Sequence, residues 1–325
     1  MKLPRRRFLR LSAAAAALPT LARVAKAQAY PARPVRILVG FAAGSGLDLY
    51  ARLIAQWLSD RLHQSFVVEN RLGAGSNVAA EALVNAAPDG YTLFMASAAQ
   101  FTNATLYKDL NFNFIRDTAP VASVSRGPFV IVAAPSFTAK TTAELISYAK
   151  ANPGKVTFGS AGTGTLTHVS GELFKMTAGI NMVHVPYRGE PQAIVDLLGG
   201  QLDIDFSTLA GASEFIKSGK LRAFAVTSAQ RSELFPDVPA VSETLPGYDA
   251  TPWSGICAPK GTPAEIIDKL NQAINAGLTD PDLKAHFAAI GSTTTPLTPA
   301  EYGKAIASET EKWAKVILAA GIKLQ

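Results

Sequence analysis

Residues 35–62 read VRILVGFAAGSGLDLYARLIAQWLSDRL. The run opens with a short apolar and partly β-branched segment, Val35–Val39, which predicts a buried strand. Glycines follow at positions 40, 44 and 46, and from Leu47 to Leu62 the apolar residues recur every three or four positions. That spacing predicts an amphipathic helix with one buried face. The local order is therefore strand, glycine turn, helix.

The same order occurs a second time after residue 154. Residues 155–176 read KVTFGSAGTGTLTHVSGELFKM, which again predicts a strand, a glycine turn and a helix. Each unit is followed by further strand and helix patterns, up to residue 96 in the first and residue 206 in the second. Such alternation is typical of parallel βαβ units, so two similar α/β lobes are expected. Each glycine turn follows the first strand of its lobe, where open α/β sheets bind ligands.

The rest of the chain is expected to complete these two lobes. Thr262–Glu265 and Thr298–Glu301 both read Thr-Pro-Ala-Glu, which predicts a capping box with proline at the first helical position. The proline-rich segment Phe235–Pro259 predicts the return crossing between the lobes. The predicted boundaries are 30–128 plus 250–325 for lobe 1 and 129–249 for lobe 2, with the ligand cleft between them.

The first 29 residues differ in charge from the rest. They carry seven of the 31 Lys and Arg residues and no acid, so the remainder has 24 positive charges against 25 negative ones. A nucleic-acid partner is therefore not expected. A basic start, an apolar stretch at 11–22 and Ala27-Gln28-Ala29 predict a secretory signal cleaved near Ala29. Arg5-Arg6-x-Phe8-Leu9-Arg10 further resembles a twin-arginine signal.

Motifs for several chemistries are missing from the sequence. At the three G-x-G turns, Leu49, Val78 and Thr167 replace the third glycine of the dinucleotide fingerprint. The four histidines lack metal-ligand spacing, and no G-x-S-x-G elbow is present. We therefore expect no cofactor, no metal and no enzymatic activity. Cys257, the only cysteine, lies in an apolar run and is interpreted as a buried core residue.

Anion binding by backbone amides is the chemistry that remains. A glycine turn that opens a helix presents free N–H groups, and the helix dipole adds about half a positive charge there. The residues concerned are Ala43–Asp48 and Ser160–Thr165, although both segments are also explained as plain tight turns. Asp48 is expected to cap its helix, to accept a hydrogen bond from a ligand, or to do both. His168 either faces the cleft or has a structural role.

The chain also resembles a known family, the substrate-binding proteins of tripartite tricarboxylate transporters, or Bug receptors. The matching blocks include Glu69–Gly75, Pro88–Leu93, Gly159–Gly164, His184–Gly189 and Pro236–Pro239. The resemblance implies a two-lobed type II periplasmic binding protein that holds a small carboxylated solute. It also implies delivery of the solute to the permease subunits of a membrane transporter, with one turn from each lobe gripping a ligand carboxylate. A sensor that docks on a membrane kinase is the alternative, and a periplasmic monomer is expected in either case.

The expected ligand-binding residues combine the two turns with nearby strand ends. They are Phe41, Ala43, Gly44, Ser45, Gly46, Leu47, Asp48, Ser97, Ser160, Ala161, Gly162, Thr163, Gly164, Thr165, His168, Tyr187 and Ser207. Two positions depart from the family pattern. Leu47 stands where a small hydroxyl residue is usual, and Ser207 stands where an acid is common. Leu47 predicts a more apolar pocket, and Ser207, which offers no charge, predicts a ligand without a cationic amine.

Overall fold

The structure, a computed structural model, describes residues 30–324. The predicted signal peptide and its cleavage site lie outside the described residues. In chain order the elements are β1 Val35–Val39, α1 Gly46–Leu62, β2 Phe66–Asn70, α2 Asn77–Val84, β3 Thr92–Ser97, α3 Ala99–Leu106, α4 Phe114–Asp117, β4 Thr118–Arg126, β5 Phe129–Ala133, α5 Thr142–Ala151, β6 Thr157–Ser160, α6 Leu166–Ala178, β7 Val183–Pro186, α7 Glu190–Leu198, β8 Ile204–Thr208, α8 Leu209–Lys217, β9 Arg222–Val226, β10 Trp253–Pro259, α9 Ala264–Leu278, α10 Pro281–Ala289, β11 Thr293–Thr294 and α11 Pro299–Ala319.

The strands form two sheets, one for each predicted unit. The first has the order β11-β4-β10-β3-β1-β2 and the second the order β7-β6-β8-β5-β9. Strand β1 lies parallel to β2 and β3, and β6 lies parallel to β7 and β8. The two-lobed α/β fold is therefore confirmed. The chain leaves the first sheet after Arg126 and returns to it at Trp253. The residue boundaries of the lobes stay a prediction.

The sheets are mixed, which corrects the expectation of parallel sheets. Strand β10 lies antiparallel between β3 and β4, and β5 lies antiparallel between β8 and β9. The interpretation of 235–259 as a crossing is therefore wrong for its last seven residues, Trp253–Pro259. Its apolar run Ile256-Cys257-Ala258 is fully buried, as expected for an inner strand, and prolines lie only before and at the end of the strand.

Helices α1 and α6 begin directly at the two glycine turns. Ser45 is the N-cap of α1 and Thr165 the N-cap of α6, and each side chain accepts a hydrogen bond from a backbone N–H of the first turn. Helix α1 buries Ile54 and Leu58 against the first sheet. Helix α6 ends at Gly179, whose φ of 63° is the left-handed conformation that closes many helices. The start of each helix is thus fixed next to its turn.

The C-terminal helices confirm one predicted capping box and contradict the other. Thr298 and Glu301 exchange the two expected hydrogen bonds at the start of α11. At α9 the helix begins only at Ala264, and the Thr262 hydroxyl instead donates to the carbonyl of Pro259. Helix α10 was not predicted. Helix α11 packs on α3 and β4 and buries Trp313 completely. Of the helices described here, none has the length and apolar character needed to cross a membrane.

Candidate functional site

The first turn, residues 41–48, is organised around Asp48. This carboxylate is almost fully buried, 1% exposed. Its Oδ2 accepts hydrogen bonds from Gly44 N at 2.9 Å and Arg52 Nε at 2.8 Å, and its Oδ1 accepts from Asn70 Nδ2 at 2.9 Å. Asn70 Nδ2 also donates to the carbonyl of Phe41, so Asn70 connects the first residue of the turn, Phe41, to its last residue, Asp48. Asp48 therefore lies inside the turn and has its oxygens occupied by protein donors.

Electrostatics agree with this inward position of Asp48. Burial raises the pKa of the carboxyl group, but the hydrogen bonds from Arg52, Gly44 and Asn70 outweigh burial and the pKa is lowered overall. The N-cap of α1 is Ser45 rather than Asp48, which corrects the capping alternative. The geometry supports neither of the two roles expected for Asp48. Instead, its carboxylate accepts hydrogen bonds from inside the turn and so stabilises the turn.

The second turn, residues 160–165, is closed by hydroxyl groups. Thr165 Oγ1 donates to the carbonyl of Gly162 at 2.6 Å, and Thr167 Oγ1 accepts from Ala161 N at 3.0 Å. Gly164 N donates to His168 Nδ1 at 3.0 Å. Gly162 and Gly164 have φ values of 133° and 79°, a region that favours glycine. The glycines of this turn are thus required by its backbone path.

Two stacked histidines support the second turn from below. The rings of His168 and His184 are 3.6 Å apart between centroids and 7° from parallel. His184 Nε2 is 2.7 Å from Ser160 Oγ, and His168 is only 5% exposed. Burial, followed by the nearby His168, lowers the pKa of His184 to about 3, so its ring is neutral. The structural role of His168 is therefore favoured over one in which its ring faces the solute.

The two turns have the same construction. Gly44 and Gly164 each donate to the side chain four residues later, Asp48 or His168, and Ser45 and Thr165 are the two N-caps. Within residues 30–324, three equivalent backbone N–H groups in each turn or directly after it have no partner. They belong to Ala43, Gly46 and Leu47 at the first turn and to Thr163, Leu166 and Thr167 at the second. Each set includes the first two N–H groups of a helix, where the helix dipole favours an anion.

The other predicted ligand-binding residues fall in different surroundings. Ser97 is half-buried and bonds to Gln100 at the start of α3. The Tyr187 hydroxyl donates to Asp196 at 2.9 Å beside an open depression of about 440 Å³, and Tyr187 N donates to the Ser160 carbonyl. Ser207 is fully buried and donates to Asp205, so the structure does not bring its hydroxyl to the surface of the turn.

Two acids near the second turn were missed by the sequence reasoning, the partly buried Glu190 and the buried Asp205. Glu190 accepts hydrogen bonds from both the backbone N–H and the hydroxyl of Thr208, and burial raises the pKa of Glu190 to about 7. Asp205 is 1% exposed, and burial raises its pKa to about 6. Both lie at the ends of ordinary strand and helix patterns, and no local motif distinguishes them. In the part of the chain that the structure covers, no cluster of three metal-ligating side chains occurs.

The second turn also contacts the half of the chain that forms the first sheet. A Cβ atom at Gly164 would lie 2.6 Å from Leu106 Cδ1 of α3 and 3.2 Å from Leu324 Cδ2. Gly164 is buried even though it belongs to a loop. The second turn therefore lies at the junction between the two lobes.

Relatives of the chain share this fold over nearly its whole length. BugT of Bordetella pertussis is 37% identical over 308 residues, which cover 94% of each chain. Among solved structures, an R. palustris protein with adipate is 32% identical with a TM-score of 0.81, covering 90% of this chain and 99% of the other. MatC from Rhodopseudomonas palustris with bound malate is 30% identical with a TM-score of 0.76, covering 89% of this chain and 100% of the other.

A family match agrees with these individual relatives. Residues 50–322 match the family described as "Tripartite tricarboxylate transporter family receptor". The match includes the second glycine turn, the histidine stack and most of helix α1. The chain therefore belongs to the tripartite tricarboxylate transporter receptor family.

Proposed function

We propose that the protein is a periplasmic receptor that captures a small carboxylate between its two lobes and delivers it to the permease subunits of a tripartite tricarboxylate-type membrane transporter. One carboxylate of the solute binds the free N–H groups of the turns at 41–48 and 160–165 and of the helix starts that follow them. The solute bridges lobe 1, residues 30–128 plus 250–325, and lobe 2, residues 129–249, and so selects a closed form. No chemical step is part of this role.

The observation that carries the proposal is the pair of equivalent turns with unpaired amides. Each turn, together with the start of its helix, offers three equivalent backbone donors without partners in the described residues, two of them at a helix N-terminus. A carboxylate has about four lone-pair directions and satisfies such donors without an arginine. Related structures contain adipate and malate, and both of these compounds are dicarboxylates.

The surroundings of the turns favour a solute without a cationic amine. The acid at the first turn, Asp48, is engaged by Arg52 and Asn70. Near the second turn, Asp205 is buried, accepts a hydrogen bond from Ser207 and has a pKa raised to about 6 by burial. No exposed carboxylate of either turn is thus left to pair with an ammonium group. Leu47, half-buried at the start of α1, adds an apolar contact.

A thermal-shift screen of residues 30–325 tests the binding proposal. The panel contains aliphatic dicarboxylates, monocarboxylates, aromatic acids and amino acids, each with a matched amide that lacks the charge. We expect one carboxylate class to raise the Tm and its amide to leave the Tm unchanged. A ligand at about 1,000 times its Kd adds about 4 kcal/mol to the free energy of unfolding, a shift of several degrees. A basic amino acid as the tightest ligand contradicts the proposed specificity.

Export is tested on the full-length chain. We expect N-terminal sequencing of the periplasmic protein to give Tyr30 as the first residue. Replacing Arg5 and Arg6 together with lysine should stop export if the twin-arginine route is used, whereas replacing Arg23 with lysine serves as a control. Periplasmic protein that accumulates at the wild-type level from the double variant contradicts the twin-arginine route.

The role in transport is tested once a solute is known. Deletion of the gene should abolish uptake of the radiolabelled solute, and expression of the wild-type protein should restore it. Unchanged uptake, together with loss of a transcriptional response to the solute, supports the sensor instead. The uptake result does not change the binding result of the thermal-shift screen, so the transport role can be wrong while the binding proposal stands.

A further inference from the structure

A second cavity, of about 160 Å³, lies beside helix α3. Its lining includes the polar residues Asn77, Asn103, Tyr107 and Lys108 and the apolar residues Phe112 and Phe114. None of its lining residues belongs to either glycine turn. The cavity is therefore separate from the site proposed above.

One hydrogen-bond donor in this cavity is buried and unpaired. Asn103 Nδ2 donates to the carbonyl of Gly75 at 2.7 Å and to Asn77 Oδ1 at 3.0 Å, which uses both of its N–H groups. Asn77 must therefore present its oxygen to Asn103. The Nδ2 of Asn77 then remains without a partner among residues 30–324, on a side chain that is only 5% exposed. A buried donor left unsatisfied in this way destabilises the fold unless something binds it.

The backbone that carries Asn77 is strained and held in place. The four residues before it, Gly73 to Ser76, all have φ values in the left-handed region, and two of them, Ala74 at 46° and Ser76 at 79°, are not glycine. Gln100 Nε2 donates to Ser76 Oγ, and Asn103 holds the Gly75 carbonyl. Asn77 therefore has a fixed position at the start of α2.

The charges around the cavity favour an anion. Lys108 is exposed at its rim and makes no ion pair within the described part of the chain. On the adjoining segment, Asp117 is engaged by Arg116 at 2.6 Å and by the backbone N–H of Asn113 at 2.8 Å, and Asp109, the residue after Lys108, is exposed and does not line the cavity. An ammonium group without an ion pair in the described residues and a buried amide N–H therefore lie on the same cavity, next to two buried phenylalanine rings.

We propose that this cavity binds a short-chain aliphatic monocarboxylate. The carboxylate accepts hydrogen bonds from Asn77 Nδ2 and Lys108 Nζ, and the alkyl chain packs on Phe112 and Phe114. A carboxylate satisfies the unpaired donor, and a short tail suits a small cavity lined in part by phenylalanine rings. A dicarboxylate of the kind found in related structures places a second charge against the phenylalanine rings and is disfavoured here.

Titration with butyrate, followed by NMR of side-chain amides, tests this site directly. The Asn77 NH₂ resonance is assigned as the one lost in Asn77→Asp. We expect butyrate to shift this resonance in the wild-type protein and butylammonium, which has the same tail and the opposite charge, to leave it unchanged. Lys108→Gln should weaken butyrate binding about tenfold, because it removes one charged hydrogen bond. Lys155→Gln, an exposed lysine on the other lobe, is the matched control.

Three results overturn the proposal. The first is no shift of the Asn77 resonance with butyrate while resonances of the glycine turns do shift, which assigns binding to the main cleft alone. The second is an equal shift with butylammonium, which excludes anion recognition. The third is equal affinity in Lys108→Gln and Lys155→Gln, which removes Lys108 from the site. Because the readout is local to Asn77, none of these results bears on binding at the glycine turns.

Discussion

Gly44 and Gly164 occupy the same position in two turns that come from different lobes. Their φ values are 81° and 79°, and each donates its N–H to the side chain four residues further along, to the Asp48 carboxylate or to the His168 imidazole. One backbone geometry is thus held by two different acceptors. The acceptor fixes the direction of the turn, and the remaining amides stay free for a ligand.

Gly44→Ala should weaken solute binding without a larger loss of stability than a control at Gly179. Both glycines have positive φ, and a Cβ at either position meets nothing within 4 Å, so each variant loses about 1 kcal/mol through backbone strain alone. Only Gly44 lies among the free amides, because Gly179 ends helix α6. We expect at least tenfold weaker binding by isothermal titration calorimetry for Gly44→Ala only. Equal affinities in the two variants contradict the assignment of the first turn.

Asp48→Asn should destabilise the protein by about 2 kcal/mol, because it removes a buried charged acceptor of Arg52 and Gly44. The pKa of Asp48 is lowered in the folded state, so its contribution is present above the unfolded value near 4 and is lost as the pH falls through the folded value. Urea unfolding at pH 7 and pH 3 checks both points. The difference between the variant and the wild type should be smaller at the lower pH.

Asp60→Asn is the control for that experiment. Asp60 is exposed on the same helix and accepts only from Gln56. We expect its free energy of unfolding to stay within about 0.5 kcal/mol of the wild type at both pH values. If Asp60→Asn loses as much free energy of unfolding as Asp48→Asn, the buried carboxylate of Asp48 has no special role in stability.

Glu190→Gln should flatten the decrease in stability as the pH rises from 5 to 8. Burial raises the pKa of Glu190 to about 7, and the raised pKa means that the folded state favours the protonated acid. Its contribution is complete below the unfolded pKa near 4.5 and is lost as the pH rises through 7. The wild type should lose about 2 kcal/mol more than the variant over this range. Asp205, whose pKa is about 6, adds a decrease of the same sign in both proteins.

Urea unfolding at pH 5 and at pH 8 measures this difference, with Glu214→Gln as the control. Glu214 is largely exposed on α8 and pairs with Lys217 at 3.2 Å. We expect Glu214→Gln to follow the wild-type pH dependence. If Glu190→Gln keeps the full wild-type slope, the buried carboxyl group is not the origin of the pH dependence.

The sequence predicted the parts of the fold that depend on local patterns. Strands β1 and β6, the turns that follow them and helices α1 and α6 were all found, because a strand, a glycine turn and a 3.6-residue period are local signals. Strand β10 was not found, because its neighbours β3 and β4 precede it by more than 100 residues and only the tertiary fold brings them together. The failed capping box at Thr262 has a local reason, since Pro263 itself occupies the N-cap.

The candidate site was predictable only to the level of its two turns. The bond from Arg52 to Asp48 has helical i,i+4 spacing and is visible in the sequence, whereas Asn70 reaches the same carboxylate from the end of another strand. The stack of His168 on His184 likewise joins a helix and a strand. These contacts between residues distant in sequence decide which residues line a turn and which ones stabilise it from the interior of the protein.

Variants of His168 test whether solute binding requires the side chain that accepts the hydrogen bond from Gly164 N. His168→Leu keeps an apolar side chain against His184 but removes the acceptor of the Gly164 N–H, which leaves a buried donor unpaired at a cost of about 1–3 kcal/mol. His168→Gln restores an acceptor oxygen. We expect solute affinity to fall in the order wild type, Gln, Leu, measured by calorimetry with the carboxylate found in the screen. His286→Leu, on the exposed face of α10, should bind as the wild type does. If the leucine variant binds as tightly as the glutamine variant, the amide of Gly164 does not need its acceptor, and the histidine stack has no part in holding the turn.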